Sequence, residues 1–193
     1  MCCQAVLLAP KKMKTYQKNY LKYIFGFTLT LLIRLIPFRA PNIEPIMATT
    51  MPFAKNYGKL FGFGFGFLSI ILYDMITGTV GMWSLFTATS YGFLGLFSAI
   101  YFKNKENTPL NYAKFAIFST ILYDIVTGLT VGPLFFHQSL SVAIVGQIPF
   151  TLLHLLGNVT FAALLSPLIY NLVSKPKPFK NLSLIKNFNF KQI

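Results

Sequence analysis

LSVAIVGQIPFTLLHLLGNVTFAALLSPLIYNLV, residues Leu140 to Val173, is an almost unbroken apolar run of a kind that a water-soluble fold has no means of hiding. A straight membrane-spanning helix needs roughly 20 residues, and this run is about half again as long, with Pro149 and Pro167 inside it. The expected arrangement is an extracellular loop with a short helix from Gly132 to Gly146, then a span from about Gln147 to Val173.

Four further runs approach or exceed spanning length: Tyr20 to Ile36, Leu60 to Ile76, Trp83 to Phe102 and Ala113 to Val131. A sixth, Ile43 to Tyr57, is short, carries Glu44 and is interrupted by Pro45 and Pro52. The expectation is an all-α integral membrane protein, a bundle of about six transmembrane helices. Its membrane domain, residues 20–173, lies between basic tails at 1–19 and 174–193. Composition agrees, with 54% of residues hydrophobic and only 11% charged, against about 25% charged in a soluble domain.

Seventeen Lys and Arg against four acids give a formal charge of +13, which raises nucleic acid as a partner until the placement is read. Many of the basic residues flank the first and last runs: Lys11, Lys12, Lys14, Lys18 and Lys22 on one side, Lys175, Lys177, Lys180, Lys186 and Lys191 on the other. A basic patch interleaved with stacking aromatics is absent, so no nucleic-acid partner is implied. Anionic lipid at the inner leaflet suits such tails better. Lys55, Lys59, Lys103, Lys105 and Lys114 fall between spans two and three or four and five, whereas Arg34 and Arg39 stand outside. That bias predicts six crossings with both termini cytoplasmic. Cys2 and Cys3 are adjacent, and no Cys/His spacing resembles a zinc or redox site, so no metal or cofactor is expected.

A parallel repeat of two-helix units emerges from Ser69-Ile-Ile-Leu-Tyr-Asp-Met-Ile-Thr-Gly78 and Ser119-Thr-Ile-Leu-Tyr-Asp-Ile-Val-Thr-Gly128. Asp74 and Asp124 are thereby placed near the outer ends of spans three and five, either as functional acids or as partners of a helix end beside a Thr-Gly break. On the last span Gln147, Thr151, His154 and Asn158 recur at helical spacing and form one polar face. That face lines a cavity or bonds to neighbouring helices.

The segment Arg34-Leu-Ile-Pro-Phe-Arg-Ala-Pro-Asn-Ile-Glu-Pro45 is a proline-stiffened outer loop carrying Arg34, Arg39 and Asn42, suited to holding polar groups in place or simply connecting two spans. Within Phe61 to Phe67, alternating glycines match neither a strand nor a phosphate loop, and Gly62 and Gly66 permit close helix contact, internal or with a partner. No catalytic or ATP-binding motif is found, and an enzyme is not expected.

Three features resemble the S components, the substrate-capture subunits, of energy-coupling-factor transporters. They are the Arg34-x-x-Pro to Pro-Asn-x-x-Pro45 loop, the Asp-x-x-Thr-Gly motifs, and the Gly132-Pro-Leu-Phe-Phe-His-Gln to Gly-Gln-Ile-Pro-Phe150 segment leading to His154 and Gly157-Asn158. The resemblance implies a six-helix protein of a prokaryotic cell membrane that captures a vitamin or small polar micronutrient from outside. It implies as partners a membrane scaffold subunit and two ATPase subunits that drive toppling and release inside. The substrate-binding set expected from motifs and resemblance together is Arg34, Arg39, Asn42, Asp74, Trp83, Asp124, His137, Gln147, His154 and Asn158. An ion-coupled carrier using Asp74 and Asp124, or a ligand-free membrane scaffold, are the alternatives.

Overall fold

A computed structural model describes residues 20–37 and 44–174, and among them every regular element is helical. In chain order the helices are α1 (Tyr20–Arg34), α2 (Ile46–Tyr57), α3 (Lys59–Thr77), α4 (Met82–Tyr101), α5 (Pro109–Phe136) and α6 (Leu140–Ser174), with a 3-10 turn at Phe102–Asn104 closing α4. This is the all-α bundle that the apolar runs predict. The two basic tails, Cys2, Cys3, Arg39 and Asn42 lie outside the described residues.

Four helices, α3 to α6, are long and apolar enough to cross a membrane. Most of each faces outward. Leu60, Leu134, Val145, Leu156 and Leu164 are each more than 60% exposed, and a surface this apolar requires lipid. The chain is therefore a multi-pass membrane protein.

The short run proves different in kind from the others. α2 has 12 residues, roughly 18 Å at the helical rise, which is short of the hydrocarbon thickness. Most of its residues are buried, so it forms a central pillar wrapped by α3, α4 and α6. Pro52 lies inside it and cannot donate to the Ala48 carbonyl one turn back. The hydroxyl of Ser166, fully buried on α6, donates to that carbonyl at 2.7 Å instead. One side chain thus repairs the helix and fastens α6 to it.

The glycines of α3 serve internal packing. A Cβ on Gly62 would overlap the Gly95 carbonyl of α4, and one on Gly66 would overlap that of Tyr91. The two backbones touch because neither residue has a side chain. α1 is held at one end by its aromatic ring Tyr23, edge-on to Phe53, Tyr57 and Phe65, and at the other by Arg34.

The late segment departs from the expected loop with a short helix over Gly132 to Gly146. α5 continues through Pro133 to Phe136, the chain reverses over residues 137–139, and α6 then runs unbroken through Pro149 and Pro167. Each proline removes one backbone hydrogen bond, whereas leaving the helix inside an apolar medium exposes several. At about 1.5 Å per residue α5 and α6 extend roughly 42 and 52 Å, beyond the ~30 Å hydrocarbon core, so they tilt or project.

Lysines gather at one end of the bundle. Lys22 donates to the Leu172 carbonyl at the close of α6, at 2.7 Å, and Lys55 at the close of α2 donates to the Lys105 carbonyl at 2.8 Å. At the opposite end stand Arg34 and the α3–α4 and α5–α6 turns.

Candidate functional site

α5 and α6 are antiparallel, and moving one turn along α5 matches one turn back along α6. Ala116 and Ala162, both fully buried, let the helices approach. Next along the seam, Asn158 Nδ2 donates to Thr120 Oγ1 at 2.9 Å, and one turn further His154 Nδ1 lies 2.8 Å from Asp124 Oδ1. All four side chains are at least 95% buried. Two acceptors on this ladder, Asp124 Oδ2 and Asn158 Oδ1, are buried and have no hydrogen-bond partner among the described residues. An unmet buried acceptor costs about 1–3 kcal/mol, so each marks a place where a donor would be gained cheaply.

Aromatic rings extend the ladder toward α4. Tyr123 and Phe150 meet the His154 ring edge-on, each at 5.7 Å, and Tyr91 of α4 lies 4.5 Å from Tyr123. Beyond them is a second charged cluster. Arg34 Nε is 3.1 Å from Glu44 Oε2, Arg34 Nη1 donates to the Ser69 carbonyl at 2.6 Å, and the guanidinium stands 4.0 Å over the Tyr73 ring. Tyr91 and Tyr123 lie in the same part of the interior as Arg34, Glu44 and Asp124. A polar band therefore crosses the interior from α1 to α6, in a bundle whose other buried side chains are mostly apolar.

The predicted residues divide. Arg34, Asp124, His154 and Asn158 belong to this band. Gln147 and Thr151, bonded to each other at 3.2 Å, instead line an open groove of about 310 Å³ on the outer face of α5 and α6, among isoleucines and leucines. Asp124 borders both the band and the groove. Trp83 packs on Phe136 at 5.5 Å, away from the band, and His137 is an exposed left-handed residue closing α5.

The two copies of the repeat differ in use. Gly78 takes a left-handed conformation and ends α3, its N–H bonding the Asp74 carbonyl, and the half-exposed Asp74 accepts weakly from Thr79 at 3.5 Å. Gly128 does not end a helix. Its missing side chain admits Gln147, and α5 runs on, so Asp124 sits inside the bundle and not at a helix end.

Sequence reasoning missed Thr120, Tyr91 and Tyr123. Thr120 stands four residues before Asp124, a polar pair on one helical face, and that spacing was the signal available. For Tyr91 no such signal exists. Among the described residues no group of His, Cys, Asp and Glu has the makeup of a metal site. Compared with models of known families, with curated proteins and with solved structures, the chain matches none.

Proposed function

We propose that the chain is a solute-binding membrane subunit that captures a small polar micronutrient from outside, within the band between Arg34–Glu44 and Asp124–His154. The observation that carries this reading is the pair of buried, unpartnered acceptors on Asp124 and Asn158, beside the rings of Tyr123 and Tyr91. Such a mixture of apolar walls and a few oriented polar groups is how small-molecule sites gain selectivity.

In this reading six helices cross or enter the membrane and the lysine-bearing end faces the cytoplasm, as the segregation of Lys22, Lys55 and Lys105 favours. The resemblance of its motifs to those of S components of energy-coupling-factor transporters extends the proposal to import: a scaffold subunit and two ATPases would supply the work, and this chain the capture. Anionic lipid is the expected neighbour of the basic tails.

The Asp124–His154 contact favours a second reading, a proton-coupled carrier, because a buried acid next to an imidazole is a common relay in transporters. Proteoliposomes separate the two. Uptake that needs ATPase partners supports the importer; accumulation by the chain alone under a proton gradient overturns it in favour of the carrier.

A further inference from the structure

We infer that the solute is recognised through a flat, cationic N–H donor group, of the amidinium or protonated amino-heteroaromatic class, bound at Asp124 and Asn158. The inference rests on reading the buried band as the solute site. It follows from the direction of the hydrogen bonds there. Asn158 gives an amide N–H to Thr120, and Asp124 meets His154 through Oδ1, so each group keeps a buried acceptor oxygen that no donor reaches among the described residues. Their partners occupy successive turns of the same two helices, which places the two acceptors on neighbouring rungs. A complementary solute must donate to both. A carboxylate or phosphate, which only accepts, gains no bond from either oxygen.

Charge points the same way. Arg34 is already engaged by Glu44, by the Ser69 carbonyl and by the Tyr73 ring, so the two charges at that end offset each other. Asp124 has no guanidinium or ammonium beside it among the described residues; its partner is the imidazole of His154. A cationic head supplies what that carboxylate lacks. The rings set the shape: Tyr123 stands between Tyr91 and His154, and Phe150 closes on the imidazole, which gives flat surfaces for a ring or a delocalised cation to lie against.

Three probes of one shape test this: benzamidinium, benzamide and benzoate, which replace N–H by oxygen stepwise on the same ring. Calorimetric titration of the full chain in lipid nanodiscs is expected to rank benzamidinium at least tenfold tighter than benzamide, with benzoate weakest. The ranking is read on the unaltered chain, so no variant need fold for the test to count. In Asp124→Asn, checked for native helicity, the preference for benzamidinium should fall to about twofold or less. Benzamide or benzoate binding as tightly as benzamidinium overturns the cationic class alone, provided that binding weakens in Asn158→Leu. If binding is the same in Asn158→Leu as in the unaltered chain, or none of the three binds at about 10 mM, both the class and the site are wrong.

Discussion

Asp124 and His154 join α5 to α6 through a 2.8 Å contact between groups that are 1% and 4% exposed. Removing the imidazole strands both carboxylate oxygens in a medium without water. His154→Ala is expected to cost about 1–3 kcal/mol of stability, whereas Leu153→Ala, on the half-exposed neighbour, should cost less. Unfolding in detergent followed by circular dichroism compares them, and equal loss in both would deny the pair its role.

The repair of α2 by Ser166 makes a more discriminating test. Ser166→Ala leaves the Ala48 carbonyl without a donor and should destabilise the chain by roughly 1–3 kcal/mol. In a Pro52→Ala background residue 52 regains its N–H and supplies that donor itself, so the same substitution should cost much less. A double-mutant cycle with no coupling would mean the hydroxyl and the proline are unrelated.

For the α3–α4 seam, Gly62→Ala should destabilise because its Cβ meets the Gly95 backbone, which has no side chain to move aside. Gly146→Ala, in α6 with open space around it, should be neutral or stabilising by up to about 1 kcal/mol from helix propensity. The relative melting temperatures decide, and the reverse order would contradict the packing described.

Orientation is testable by labelling. In a chain with Cys2 and Cys3 changed to Ser, a cysteine at Ser139 should react with an impermeant maleimide added outside intact cells, and one at Lys105 should not. Labelling of Lys105→Cys from outside would invert the bundle and place the Arg34 end in the cytoplasm.

The sequence carried the bundle plainly, because runs such as Trp83 to Phe102 and Ala113 to Val131 have no alternative to lipid or a buried helix. It also carried half of the band, since His154 and Asn158 stand out on an otherwise apolar helix. What it did not carry is tertiary in origin. Whether Gly128 ends a helix, as Gly78 does, depends on what packs against it, and Gln147 fills that place. The prolines of α6 mark where a helix in water would break, but with no water to receive freed carbonyls the helix continues. That Ile46 to Tyr57 is an interior pillar follows from its neighbours, not from its own hydropathy.

The most direct test of solute capture is mass spectrometry of small molecules released from the chain after purification from its native membrane. Unaltered protein is expected to release one bound solute in near-stoichiometric amount, and Asn158→Leu, shown to keep its helicity and its elution volume, should release little of it. Equal recovery from both, or no solute released by the unaltered protein, would contradict a binding site in the buried band and leave the polar groups of α5 and α6 with a structural role only.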